Sequence, residues 1–168
     1  MSPQPSDDPV VRTEFADRDG DAIVALHDRV YSTEYGFDAR FVASVAWGVE
    51  AAVARGWPDT GGAVWLVQRG TELEGSLGLI AEGNGVGRVR WFVLAPAIRG
   101  RGLGRRLLAE LLNEARAAGL QTLELETFST LTVAAQIYRQ AGFSLQWERA
   151  TNQWGPPILF QGYALQLG

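Results

Sequence analysis

The sequence predicts an α/β (α+β) domain: a mixed central sheet of about seven strands, antiparallel except for a central parallel pair, flanked by about four helices. Two observations carry this. Three β-type runs, Ala63–Gln68, Leu73–Ala81 and Gly87–Leu94, follow one another with only turn sequences between them, Arg69-Gly70-Thr71-Glu72 and Glu82-Gly83-Asn84-Gly85, as in an antiparallel meander. Downstream, the apolar stripe Leu103, Leu107, Leu108, Leu111, Leu112 and Ala115 marks a helix, ended by Gly119, between the Val89–Leu94 strand and the next run, Leu120–Thr127. Strands joined through a helix pair in parallel by a right-handed crossover, so this is a βαβ unit.

The remaining elements follow in order. Val10–Phe15 reads as a first strand, and Asp19 or Asp21 caps a helix with Ile23, Leu26 and Val30 at helical spacing that ends near Tyr35-Gly36. Asp38 caps a second helix that buries Phe41, Val42, Val45, Val49 and Val53 and stops at Gly56 and Pro58. Ser129 or Thr130 starts a further helix carrying Val133, Ala134, Ile137 and Tyr138, which Gly142 ends. The chain closes with a hairpin, Phe143–Arg149 and Ile158–Leu167, around Trp154-Gly155-Pro156-Pro157. At 168 residues there is one core, so residues 10–168 form a single domain and residues 1–9, with prolines, serines and aspartates, a disordered leader.

Composition narrows the function classes. A net charge of -4 speaks against nucleic acid as a partner, and no run approaches the roughly eighteen apolar residues of a membrane span. With no cysteine and no signal peptide, a soluble cytoplasmic protein is expected. His27 is the only histidine, so neither a metal site nor a Ser-His-Asp hydrolase is expected. All fifteen basic residues are arginine.

Against this acidic background stands Arg99-Gly100-Arg101-Gly102-Leu103-Gly104-Arg105-Arg106, between a strand and a helix. Its glycines let a ligand approach the backbone, and the helix that opens there offers unpaired N–H groups and a partial positive charge. That combination suits a diphosphate. A Walker loop needs a lysine, which the chain lacks, and a dinucleotide fingerprint fails because position 107, where a third glycine or alanine belongs, is leucine.

Arg99-x-x-Gly102-x-Gly104 resembles the R/Q-x-x-G-x-G/A signature of the GNAT N-acetyltransferases, and Ala134 to Phe143 resembles that family's A-x-x-x-Y-x-x-x-G-F segment. The order of elements matches as well. Tyr35-Gly36, Arg90-Trp91-Phe92, Thr127-Phe128-Ser129 and Trp154-Gly155 are similar to segments of the acetyltransferase domains attached to MarR-type regulators, here without the winged-helix half. The resemblance implies the GNAT fold and acetyl-CoA as co-substrate, with no metal. Its pyrophosphate would lie on Gly100, Arg101, Gly102, Leu103, Gly104, Arg105 and Arg106 with Arg99 at the loop's edge, and its pantetheine arm along Val93 and Leu94. Tyr138 is then the general acid for the departing thiolate, although a tyrosine packed on a buried helix face fills the same place without chemistry. Glu126, twelve residues earlier, is the candidate base, with a water chain or a solvated carboxylate as the alternative.

Glu34, Tyr35, Arg90, Trp91, Phe128 and Trp154 fall where such proteins wall the acceptor pocket. An arginine there favours an acceptor with a carboxylate, unless Arg90 is an exposed sheet residue. The expected acceptor is a small-molecule primary amine, with a homodimer possible through the C-terminal hairpin. A noncatalytic acyl-CoA sensor and a protein N-terminal acetyltransferase are the competing readings.

Overall fold

The computed structural model describes residues 7–168, so residues 1–6 of the expected leader lie outside the described residues. The chain runs β1 (Val10–Arg12), α1 (Asp19–Tyr35), α2 (Ala39–Ala54), β2 (Gly62–Arg69), β3 (Glu72–Gly83), β4 (Val86–Leu94), a single 3-10 turn (Pro96–Ile98), α3 (Leu103–Ala117), β5 (Thr122–Phe128), α4 (Thr132–Gln140), β6 (Ser144–Thr151) and β7 (Ile158–Gln166). One seven-stranded sheet has the order β1-β2-β3-β4-β5-β7-β6. Its parallel pair is β4 with β5, joined only from Val86↔Thr122 to Arg88↔Glu124; beyond that register the two strands part. The last strand, β7, fills the far side of β5 along its whole length, from Thr122↔Gln166 to Phe128↔Phe160.

Each face of the sheet carries its own core. Ile23, Leu26 and Val30 of α1 and Phe41, Val45 and Val49 of α2 pack with Trp91 and Val93 on one face. Leu107, Leu108 and Leu111 of α3 and Tyr138 of α4 pack with Val89, Leu123 and Leu125 on the other. Alternation lets β4 serve both cores, and a bulge decides which of its residues face which. Ser76↔Val93 and Gly78↔Arg90 bracket two steps on β3 against three on β4, and Trp91 takes up the extra residue at φ 51. Ser76 Oγ donates to the Trp91 carbonyl at 2.6 Å, which fixes the bend. Strict alternation would put Trp91 beside Val89; the bulge sends Trp91 to the α1/α2 face and turns Phe92 and Leu94 toward α3 and α4.

Several expected details shift. β1 is only three residues long; Arg12 reaches forward to the Glu14 carbonyl at 2.8 Å and pairs with Asp19 at 2.6 Å as the chain leaves the sheet edge. Neither Asp19 nor Asp21 is the cap of α1: Arg18 holds that position without a side-chain bond, and Asp19 instead accepts the Ala16 N–H at 2.7 Å from inside the first turn. Asp38 does cap α2, accepting the Arg40 N–H at 2.9 Å. Val53, expected on a buried face, is 41% exposed, and Val133 on the last helix is 70% exposed. Val53 is in the last turn of α2, and α4 starts at Thr132, with Leu131 in the cap position in place of Ser129 or Thr130.

His27 is buried beneath Tyr31, their rings stacked at 5.8 Å. Desolvation lowers its pKa to about 4, helped by the Arg90 charge and opposed by the Nδ1 hydrogen bond to the Ile23 carbonyl at 2.7 Å. The unfolded chain takes up this proton near pH 6.5 and the folded protein only near 4. Stability is therefore complete above about pH 6.5 and declines as pH falls toward about 4, by at most roughly 3 kcal/mol. Urea unfolding across that window should show a shallower decline for His27→Gln; equal slopes for the two proteins would contradict a buried neutral imidazole.

Candidate active site

Where β4 leaves β5, a cavity of about 460 Å³ opens between the end of β4, the glycine-rich loop, α4 and the C-terminal turns of α1. The N-terminus of α3 points into it. Gly102 occupies the cap position at φ 73 with no side chain to bond the first-turn N–H groups, and only Arg106 donates back, to the Gly102 carbonyl at 3.1 Å. The N–H groups of Leu103, Gly104 and Arg105 consequently have no helical acceptor. A Cβ on Gly100 or Gly102 would meet nothing within 4 Å, so glycine is needed there for positive φ, and the loop stays open. Gly104 has a different job: its missing Cβ would lie 3.3 Å from Ile137, so it brings α3 close to α4.

The four arginines of the loop divide. Arg99 donates from Nε to the Leu94 carbonyl at 2.8 Å and grips both Glu34 oxygens from Nη1 and Nη2 at 2.6 and 2.7 Å. Hydrogen bonding to Arg99 holds the Glu34 carboxyl below its ordinary range. This pair ties the end of α1 to the loop, and Glu34 itself is not a wall of the cavity. Arg105 lines the cavity and bonds Gln140 at 2.9 Å, while Arg106 turns to Glu110 at 3.2 Å. Arg101 and Arg106 stand off the cavity wall.

Tyr138 closes the inner end. Its ring packs edge-on against Phe92 and Phe143, at 6.2 and 5.9 Å, and burial pushes its phenol pKa upward. The side chain lines the cavity, and its hydroxyl has no hydrogen-bond partner among the described residues. Val93 and Leu94 line the same space. Because the Ala95 N–H donates across to the Glu74 carbonyl at 2.7 Å, strand alternation turns the Leu94 N–H the other way, into the gap left by β5. Tyr31, which the sequence reading passed over, also lines the cavity; burial raises its pKa and the neighbouring Tyr138 adds to the shift. Its four-residue spacing from His27 was the available signal, but that spacing marks core and cavity positions alike.

The expected acceptor residues are not gathered in this cavity. Tyr35 lines it. Phe128 and Trp154 instead join Phe37 and Phe41 in an aromatic cluster behind it, with Phe37 5.2 Å from Phe128 and Phe41 5.0 Å from Trp154. Arg90 and Trp91 sit farther back along β4 on the α1/α2 face. Glu126 is also outside the cavity, its side chain half exposed and 3.9 Å from Arg88, which pairs with Glu124 at 3.1 Å. Among the described residues no histidine, cysteine or carboxylate group clusters as a metal site would, and no helix is long and apolar enough to cross a membrane.

A family model described as the acetyltransferase (GNAT) family matches residues 22–143. The chain belongs to that family. An IAA acetyltransferase of Azospirillum brasilense is 41% identical over 70 residues, a match that spans 42% of this chain and 45% of that protein. An Escherichia coli protein described as the uncharacterized N-acetyltransferase YjgM is 30% identical over 118 residues, 68% of this chain and 71% of its own length. Among solved structures, yncA of Salmonella typhimurium, a putative acetyltransferase with its cofactor acetyl-CoA, superposes with a TM-score of 0.68 at 20% identity, over 96% of this chain and 95% of that one. A putative GNAT acetyltransferase of Desulfovibrio desulfuricans superposes at 0.70 and 20% identity, over 96% and 100% of the two chains. These likenesses fix the GNAT fold.

The Glu34–Arg99 clamp is partly exposed, so solvent screens most of its Coulomb gain. A double-mutant cycle with Glu34→Gln and Arg99→Gln, read by urea unfolding, is expected to give a coupling of no more than about 1 kcal/mol that shrinks with added salt. A coupling insensitive to salt would show that the pair is sealed from water.

Proposed function

We propose that this GNAT protein is an N-acetyltransferase that moves an acetyl group from acetyl-CoA to a primary amine of a small molecule by direct attack. One observation carries the reading: an unpartnered Tyr138 hydroxyl, the outward-turned Leu94 N–H and the uncapped start of α3 meet in a single cavity. The cavity fits the donor. A diphosphate is matched by the free N–H groups of Leu103, Gly104 and Arg105, with Arg105 adding charge, and an amide-bearing arm by the free Leu94 N–H, with Val93 beside it in the cavity wall. Arg99 supports this end through Leu94 and Glu34, positioning the edge rather than offering a free charge. The loop motif and the family membership also support this donor.

Acetyl-CoA, when bound, supplies an activated acyl group and a thiolate leaving group. The chain's residues handle the charge and the protons. The Leu94 N–H would stabilise the negative charge that develops on an acyl oxygen placed against it, and the apolar Phe92, Ile98 and Ile137 line the same cavity and would exclude water there. Burial keeps Tyr138 protonated well past neutral pH, so its hydroxyl donates to the thiolate. The acceptor ammonium first loses a proton to Glu126 or to water, and because Glu126 stands outside the cavity either route runs through water. Once the neutral amine has attacked, the nitrogen gives up its second proton through the same water as the C–S bond breaks, which balances the proton that Tyr138 delivers to the thiolate.

Tyr138→Phe is expected to lower kcat about 100-fold while leaving the thermal midpoint within a few degrees; full activity in the folded variant would remove the acid role. Since burial raises the Tyr138 pKa, kcat/KM should rise with pH as the amine deprotonates and then stay level, with no descending limb below about pH 10. A limb falling between pH 8 and 9 would contradict it. In calorimetry, Gly102→Glu should weaken acetyl-CoA binding at least 10-fold, because it puts a carboxylate at the helix N-terminus and forces a side chain into positive φ; unchanged affinity would move the donor elsewhere.

A further inference from the structure

The donor cavity leaves Arg90 unused. The two carboxylates whose charge it feels, Glu82 and Glu126, are shared with its strand neighbour Arg88, at 2.6 and 3.9 Å. Arg90 forms no ion pair or hydrogen bond with a described residue, although it is half-buried, and burial works against its charge. A guanidinium stays charged throughout the physiological range, so a half-buried one without a counter-ion is costly unless something else brings the anion.

The surroundings are shaped to hold this group. Its Cζ stands 4.9 Å from the Trp91 ring centre, a cation–π contact. α2 carries Gly48 in its interior, at a cost of about 1 kcal/mol relative to alanine. A Cβ there would lie 2.8 Å from Arg90 Nη2, so the glycine makes the room that the guanidinium occupies. The Trp91 indole N–H is buried and unpartnered. The Cε3 edge of that ring faces Gly78 on β3, whereas Cζ2, on the same edge as Nε1, faces Gly48, so the free N–H is on the guanidinium's side. The bulge at Trp91, with its positive φ, places the Arg90 and Trp91 side chains on one face, beside Gly48. His27 links this place to the donor cavity: it feels the Arg90 charge and stacks on Tyr31, a cavity wall.

We propose that Arg90 is the subsite for a carboxylate on the acceptor, so that the acceptors are amino carboxylates rather than simple amines. This rests on the acetyl-transfer reading for the amine end only. Arg90 sets specificity and takes no part in proton transfer.

The test uses ω-amino carboxylates from glycine to 6-aminohexanoate, and L-phenylalanine, each beside its carboxamide. Wild-type protein should prefer the best carboxylate over its carboxamide by about 10- to 100-fold in kcat/KM, as a charge-assisted contact would give, and the chain length preferred measures the span from amine to guanidinium. Arg90→Gln should raise KM for carboxylates and bring that ratio to about one, with Arg90→Lys restoring part of it. Gly48→Ala, which crowds Nη2, should reduce the ratio in the same direction. A wild-type ratio near one, or an Arg90→Gln effect equal on both series, overturns the subsite while leaving acetyl transfer standing. If no amine is acetylated, the acetyl-transfer reading fails, and calorimetry with the N-acetylated compounds in the presence of CoA decides the subsite. Carboxylate-dependent binding lost in Arg90→Gln upholds it; its absence overturns it.

Discussion

β4 and β5 pair in parallel for three residues and then part at Arg88 and Glu124, and the cleft exists because they do. Had the ladder continued, the Leu94 N–H would be spent on β5 and the space above Tyr138 would be closed. Two features hold the strands apart. The bulge at Trp91 re-aims the end of β4, and β7 satisfies the other edge of β5 completely, so β5 can leave β4 without losing its place in the sheet. An open, unsatisfied strand edge is ordinarily a liability; here it is recessed between α3, α4 and α1, where a ligand rather than another chain can reach it.

Charge is distributed on the same plan. The chain is acidic overall, yet around the cleft nearly every arginine is tied to a named partner: Arg99 to Glu34, Arg105 to Gln140, Arg106 to Glu110 and Arg88 to three carboxylates. These pairs fix the shape of the loop and the strand ends more than they add field. The anion-binding capacity of the loop therefore rests on backbone N–H groups at the start of α3, whose direction the helix sets, and on Arg105 at the cavity wall. Arg90 departs from this economy, which is why it stands out as a place for a ligand's charge.

How much was legible beforehand depended on whether a residue's role is local. The meander, the βαβ unit, the apolar stripe of α3, the Asp38 cap and the glycine-rich loop are all set by neighbours in the chain, and they were readable from periodicity and turn chemistry. The Ala134–Phe143 segment likewise placed Tyr138 on α4 facing the core. Glu34 was readable as a residue at the end of the first helix, but its partner Arg99 is 65 positions away, so its role as a clamp was not. Glu126 has the alternation of a strand residue facing the groove, yet its distance from the cavity and its contact with Arg88 follow from how β5 diverges.

The sequence alone determined the fold class, the loop at residues 99–106 and the family these residues announce, because helix period, strand alternation and glycine at positive φ are properties of short stretches of chain. The tertiary structure decided which residues share a space. It brought Tyr31 to Tyr138 and Arg90 to Gly48, and it set Phe128 and Trp154 into an aromatic cluster. The physical reason is the one-residue bulge at Trp91: it reverses which face each following side chain of β4 occupies, and its effect appears only when β3 is laid beside it.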